Sequence, residues 1–104
     1  MNKVDVSRAG GIFASKYPRW HPDFEQEPVT RPRYNREPYV RARMEMETVN
    51  GKAIAWTRNY VQVKWQDDDL SIETRWVPAS WVTRISRAES SWQDPYDELD
   101  ETDD

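Results

Sequence analysis

The chain has 104 residues, of which 33% are charged and 37% hydrophobic, and its formal net charge is −4. Such a chain has room for one small domain, and only part of it can bury a core. It contains no cysteine, which excludes disulfides, a thiol nucleophile and a cysteine-based zinc site. No apolar run resembles a secretion signal or reaches membrane-spanning length, so we expect a soluble, cytoplasmic protein.

The charge is distributed unevenly. Residues 1–43 hold nine basic and five acidic side chains, residues 44–88 are balanced, and residues 89–104 hold eight carboxylates and no Lys or Arg. Together with the residue patterns below, this asymmetry predicts three regions. They are a basic extended arm (residues 1–38), a small β-barrel (39–87) and an acidic tail (88–104).

The arm shows no sustained helical or strand period, and prolines interrupt any regular element. Its aromatic side chains are too numerous for a pure linker, so we expect some to dock on the barrel or on a partner. Basic residues interleaved with an aromatic ring offer phosphate neutralisation and stacking, which are the ingredients of a nucleic-acid contact. The candidates are Arg31, Arg33, Tyr34, Arg36, Arg41 and Arg43, and the alternative is a solvated arm.

Alternation of apolar and polar residues begins at Val40 and continues to Met46, which predicts a half-buried strand. The dipeptide Asn50-Gly51 tolerates the positive φ angles of a tight hairpin turn, so we expect the chain to reverse there. Further alternation predicts strands over residues 52–58, 60–65, 70–77 and 81–86, with turns between them. Five short strands predict an all-β barrel, since closure covers their apolar face. The expected core is Val40, Met44, Ile54, Val61, Val63, Ile72, Val82 and Ile85.

The segment RWVPASWVTRI, residues 75–85, resembles the end of a Src-homology-3-like barrel. There an apolar pair, a proline, one 3₁₀ turn, an aromatic residue and a valine join the last two strands. The resemblance implies that Pro78 and Trp81 face the ligand and that Val77, Val82 and Ile85 belong to the core. The tight turn expected at Asn50-Gly51 departs from family members that bind proline-rich peptides, which have a long acidic loop there. The short loops look equally like Tudor-type barrels, so the resemblance implies a fold and leaves the ligand open.

Six tryptophans are unusual for this length, and four of them fall inside the expected barrel. Trp56 and Trp65 keep phase with the apolar face and are expected in the core. Other aromatic residues flank the proline turn and are expected to line a groove for an aliphatic, proline or cationic side chain, and nearby arginines favour an acidic partner. The groove candidates are Tyr60, Arg75, Trp76, Pro78, Trp81 and Arg84.

The sequence offers few residues that could act in catalysis. His21 is the sole histidine and lies in the extended arm, without a rigid scaffold. Three adjacent carboxylates, Asp67 to Asp69, lack the alternating ligand spacing of a calcium loop and are interpreted as a turn. We therefore predict no catalytic residue, no metal and no cofactor, and a protein that is not an enzyme.

The acidic tail is interpreted as a solubilising segment, as a mimic of nucleic-acid charge, or as a short docking motif built on Trp92, Tyr96 and Leu99. The leading hypothesis is a protein-interaction module, a small accessory or adaptor protein of the kind found in phages and other mobile elements. One alternative is a nucleic-acid-associated protein whose acidic tail competes with the basic arm. Another is a structural subunit of a larger assembly, with arm and tail as tethers. No membrane partner is expected.

Overall fold

The computed structural model describes residues 21–99, so residues 1–20 of the arm and residues 100–104 of the tail lie outside the described part. Five strands follow one another along the chain: β1 (Tyr39–Arg43), β2 (Thr48–Trp56), β3 (Tyr60–Gln66), β4 (Ile72–Pro78) and β5 (Val82–Arg84). The helical segments of the described part are two 3₁₀ turns, Ala79–Trp81 and Arg87–Glu89. The predicted all-β class is confirmed.

All five strands belong to one antiparallel sheet with the order β4-β3-β2-β1-β5. β4 and β5 therefore lie at opposite ends of the strand order, although only the turn Ala79–Trp81 separates them in the chain. That connection spans at most about 14 Å, because an extended chain advances by about 3.6 Å per residue. The outer strands of a flat five-stranded sheet would be about 19 Å apart. The sheet must therefore curl, which brings its two edges towards each other.

The first hairpin turns at a different place from the predicted one. The backbone N–H of Met44 donates a hydrogen bond to the carbonyl of Glu47 (2.8 Å), so the chain reverses over residues 44–47. Asn50 and Gly51 lie inside β2, opposite Arg41 and Val40, and the turn predicted at Asn50-Gly51 was wrong. The first strand accordingly ends at Arg43 instead of continuing to Met46.

Glycine is required at position 51 because a larger residue would not fit there, and not because the backbone has a positive φ angle. A Cβ atom at this position would lie 2.2 Å from the carbonyl oxygen of Lys64 and 2.9 Å from Cβ of Trp65. Real Cβ atoms do not approach a backbone atom so closely, and the φ angle of Gly51 is not positive. The glycine allows β2 and β3 to approach closely where the curled sheet bends.

The inner face of the curled sheet carries the core. Its buried members are Val40, Ala42, Val49, Ala53, Val63, Trp65 and Val77, and Met44, Trp56, Val61, Trp81 and Val82 pack against them. Three residues of the expected core lie outside this cluster, and of these only Ile85 is buried. Ile72 opens β4 with its side chain half exposed, and Ile54 is only partly buried, at the β-bulge between Ala53 and Ala55. A bulge shifts the alternation by one residue, which explains why a strict period of two misplaced Ile54.

The outer face of β1 and β2 is largely polar and is covered by chain segments that flank the strands. Thr30 forms two backbone hydrogen bonds with Trp56 (2.8 and 2.9 Å), which ties the arm to the end of β2. After β5, the turn Arg87–Glu89 is fixed by a capping box between Ser86 and Glu89. The chain that follows returns over the outer face of β1 and β2, where Asp94 is buried.

Candidate interaction surfaces

The strand register places the six residues predicted to line one groove on two different faces of the sheet. Residues opposite each other in an antiparallel pair point to the same face of the sheet. Tyr60 lies opposite Pro78, and Trp76 lies opposite Gln62. Tyr60, Trp76 and Pro78 therefore share the outer face of β3 and β4, as the groove hypothesis requires.

The remaining three predicted groove residues lie on the inner side. Arg75, opposite Val63, is buried and forms a two-pronged ion pair with Glu45 at 2.7 and 3.0 Å. Its guanidinium carbon also lies 5.7 Å from the centre of the Trp81 ring, in a cation–π contact. Trp81 packs against the core, and Arg84 is exposed in β5, opposite Val40. The structure does not bring these three residues to the face that carries Trp76.

An aromatic ring from the arm completes the outer cluster. The ring centres of Phe24 and Trp76 are 5.7 Å apart, and the two rings meet edge to face at 63°. His21 stacks on Phe24 with centres 6.1 Å apart, and the side chain of Phe24 remains 54% exposed. We call Phe24, Tyr60, Trp76 and Pro78 the outer aromatic surface. The sequence predicted that arm aromatics would dock, but it contained no signal that chose Phe24 as the one beside Trp76.

A cavity of about 200 Å³ opens on the inner side, where β1 begins, β2 ends and β3 begins. We call it the inner apolar cavity. Most of its lining is hydrophobic, and Arg84 is its charged residue. The lining comprises Pro38, Val40, Ala53, Trp56, Val61, Val82 and Arg84.

A tight, apolar-tipped turn joins β3 to β4, and we call residues 67–72 the β3–β4 tip. The carboxylate of Asp67 accepts hydrogen bonds from the backbone N–H groups of Asp69 (2.9 Å) and Ser71 (3.0 Å), so Asp67 to Asp69 form a turn as predicted. Leu70 adopts a left-handed conformation with φ of 68°. Its side chain is 74% exposed, and that of Ile72 is 51% exposed.

A cluster of charges is buried on the outer face around Lys52, whose side chain is 1% exposed. The Nζ atom of Lys52 lies 2.8 Å from Glu37, 3.1 Å from Asp94 and 2.5 Å from Asp97. The hydroxyl of Tyr39 donates to Asp97 and accepts a hydrogen bond of 2.8 Å from the backbone N–H of Asp94. We call these five residues the Lys52 cluster. The sequence did not reveal it, because its carboxylates resembled those of a solvated tail.

The Lys52 cluster holds fixed charges at neutral pH. Burial alone lowers the pKa of Lys52, but hydrogen bonds to Asp97, Glu37 and Asp94 outweigh burial and raise that pKa. Burial alone raises the pKa of Asp97, but hydrogen bonds from Lys52, Tyr39 and Arg87 lower it below the ordinary value. The pKa of Asp94 is lowered in the same way. At neutral pH Lys52 is therefore a cation and Asp94 and Asp97 are anions, and their ion pairs join the tail to β2.

The described part of the tail contacts the basic arm. The carboxylate of Glu98 accepts one hydrogen bond from Arg36 and pairs with Arg33, each at 3.1 Å. The backbone N–H of Glu98 donates to the carbonyl of Asn35 (2.8 Å). Arg41 donates to Asn50 (2.9 Å) and to the carbonyl of Glu89 (3.3 Å). Arg31, Tyr34 and Arg43 are exposed. Two of the six predicted nucleic-acid contacts are therefore paired with a tail carboxylate.

The three residues of the predicted docking motif differ in exposure. Trp92 is half-buried, whereas Tyr96 and Leu99 are exposed. Tyr96 lies between Asp94 and Asp97, and its backbone N–H donates to the carboxylate of Asp94 (2.9 Å). The same short segment therefore anchors two carboxylates in the Lys52 cluster and presents an aromatic side chain to solvent.

Within residues 21–99, no three His, Asp or Glu side chains are arranged to hold a metal ion. The described chain also contains no helix that is long and apolar enough to cross a membrane. The candidate surfaces described above are the outer aromatic surface, the inner apolar cavity, the β3–β4 tip and the arm–tail contact. Comparison with protein-family models, with curated proteins and with solved structures finds no match to this chain.

Proposed function

We propose that this chain is a non-enzymatic protein-interaction module that binds a partner through its outer aromatic surface. The observation that carries the proposal is the shared face of Tyr60, Trp76 and Pro78, joined by the half-exposed ring of Phe24. Aromatic residues that remain accessible beside a proline form the kind of platform that binds extended, proline-containing or aliphatic segments. Because Arg75 and Arg84 lie on the inner side, an acidic partner is not required.

We further propose that the sheet is a Src-homology-3-like barrel. In support of this, β5 pairs with β1 after a 3₁₀ turn that directly follows Pro78, and the sheet curls so that its edges approach. This arrangement agrees with the resemblance carried by residues 75–85. A small cytoplasmic accessory or adaptor protein, such as a phage encodes, is the setting that we propose for the module.

The test is selection of binders from a displayed library of short random peptides, followed by affinity measurements on variants. Phe24→Ala removes an exposed ring without opening the core, and we expect it to weaken selected peptides about tenfold, as loss of an aromatic contact does. Tyr34→Ala, which removes an exposed arm ring outside the surface, is the control. If selected peptides bind the Phe24→Ala variant as tightly as the parent chain, the outer aromatic surface is not the binding site.

The arm–tail contact supports a second candidate, a nucleic-acid-associated protein with an internal competitor. Glu98 forms ion pairs with Arg33 and Arg36, which are two of the side chains that would contact phosphate. Releasing them with Glu98→Gln is expected to raise the affinity for single-stranded DNA or RNA, with a steep loss of binding as salt increases. Removal of the whole tail is the poorer test, because it also removes Asp94 and Asp97 from Lys52. Unchanged affinity in the Glu98→Gln variant would argue against this candidate.

A further inference from the structure

The β3–β4 tip exposes apolar side chains that do not belong to the core. Leu70 adopts a conformation that is sterically disfavoured for residues with a Cβ atom, yet its side chain is largely exposed and packs into no core. The exposed Ile72 follows it, and Asp68 and Asp69 precede it with their side chains in solvent. An exposed leucine in a turn beside two carboxylates has the form of a docking element.

The inner apolar cavity has the complementary properties. It is open to solvent, and its volume of about 200 Å³ exceeds that of enclosed engineered cavities of roughly 150 Å³ that bind benzene, so it has room for a leucine side chain. Its walls are hydrophobic, and its charged residue, Arg84, is exposed in β5 and forms no ion pair with the described residues. An apolar cavity with one cationic neighbour matches an apolar side chain flanked by carboxylates.

The tip and the cavity lie at opposite ends of the same strand. Val61 lines the cavity near the start of β3, and the tip begins at Asp67, directly after the strand ends. Six residues of extended strand separate these positions by about 20 Å. The tip therefore cannot enter the cavity of its own chain, but it can enter the cavity of a neighbouring molecule.

We propose that copies of this chain associate head to tail, with Leu70 of one copy inserted into the inner apolar cavity of the next. Asp68 and Asp69 of the first copy then lie near Arg84 of the second. Because the two contacting surfaces differ, each copy keeps one free tip and one free cavity, and association continues into rings or filaments. This proposal goes beyond peptide binding, because it uses neither Phe24 nor Trp76.

Sedimentation of the full chain over a concentration range tests the proposal. A contact centred on one side chain is small and weak, so we expect the average mass to rise between about 10 μM and about 1 mM. Leu70→Asn replaces the apolar side chain with a polar one, and asparagine tolerates the left-handed conformation. The variant should therefore fold and remain monomeric. Tyr96→Asn is the matched control, since Tyr96 is 75% exposed and lies away from both surfaces. It should associate like the parent chain.

Charge reversal and complementation test the partner surface. Arg84→Glu should abolish association, whereas Arg43→Glu, an equal reversal at another exposed arginine, should retain it. The Leu70→Asn chain keeps an intact cavity and the Arg84→Glu chain keeps an intact tip, so an equimolar mixture should form heterodimers that grow no further. A parent chain that stays monomeric throughout the concentration range would overturn the proposal. So would a Leu70→Asn chain that associates like the parent, or a mixture that fails to form heterodimers.

Discussion

The ammonium group of Lys52 lies 2.5 Å from Oδ1 of Asp97, although 45 positions separate the two residues in the sequence. This ion pair joins the outer face of β2 to the chain that follows β5. A lysine as deeply buried as Lys52 is tolerated only when carboxylates and hydrogen bonds replace the water that it has lost. The contact therefore makes the segment around Asp97 part of the folded unit.

Replacing Lys52 should destabilise the fold severely. In a Lys52→Ala variant, the buried carboxylates of Glu37, Asp94 and Asp97 lose the cation that they share, and we expect a loss of about 3 to 5 kcal/mol in unfolding free energy. Urea denaturation measures this loss. Lys64→Ala is the control, because Lys64 lies opposite Lys52 in β3 but is more exposed and stands 3.8 Å from Asp94. It should lose about 1 kcal/mol or less.

Stability should fall in acid because of Asp94 and Asp97. Their pKa values are lower in the folded chain than the ordinary 3.8, so the unfolded chain binds more protons as the pH drops. The contribution of both residues is fully present above the ordinary value and is lost as the pH falls through the lowered folded pKa values. Denaturation midpoints measured from neutral pH down to about pH 2 should show this decline. The Asp97→Asn variant should show a shallower one, and equal slopes would contradict the assignment.

At alkaline pH the stability depends on a raised pKa, that of Lys52, instead of on lowered ones. The pKa of Lys52 is raised in the folded chain, so its contribution is fully present below the ordinary value of 10.5 and is lost only as the pH rises through the raised value. We therefore expect the contribution of the Lys52 cluster to be constant across neutral pH. A decline in stability between pH 6 and pH 8 that the Lys52→Ala variant lacks would contradict the fixed charge of this lysine.

Gly51→Ala should be among the most damaging small substitutions. The added methyl group would collide with the backbone carbonyl of Lys64, and backbone cannot move aside as a flexible side chain can. Overpacking of this kind typically costs about 1 to 3 kcal/mol, and we expect the upper end of that range. Thermal denaturation provides the measurement. Glycine inside a strand is intrinsically less favourable than alanine, so a loss of stability in Gly51→Ala reports the collision and not a change in strand propensity.

Leu70→Asn should preserve or increase stability. The native φ of 68° is unfavourable for leucine and acceptable for asparagine, while the lost side chain is largely exposed. We expect a gain of up to about 1 kcal/mol in unfolding free energy, measured at protein concentrations where the chain is monomeric. A loss of 1 kcal/mol or more would show that Leu70 packs within its own chain.

Much of the sheet could be predicted because its strands alternate strictly. Val61, Val63 and Trp65 interleave with polar residues, and these positions lie in β3 as expected. The alternation of apolar and polar residues no longer predicts which side chains are buried where the backbone departs from a regular strand. The bulge beside Ile54 and the close approach at Gly51 both depend on a neighbouring strand, which no short window of sequence contains.

The candidate surfaces were predicted less well than the sheet. Adjacent residues such as Arg75 and Trp76 point to opposite faces of a strand, so grouping residues by their proximity in the sequence placed both at one groove. Asp94 and Asp97 resemble solubilising carboxylates because their partner Lys52 lies more than forty residues earlier. Contacts at that distance follow from the folded topology, not from local composition.

The separation of Lys52 and Asp97 also determines when this protein can finish folding during its synthesis. A ribosome that adds about 5 to 20 residues per second makes Asp97 about 2 to 9 s after Lys52. During that interval the lysine on the outer face of β2 lacks two of its carboxylates. The Lys52 cluster can therefore be completed only after every strand of the sheet has been synthesised.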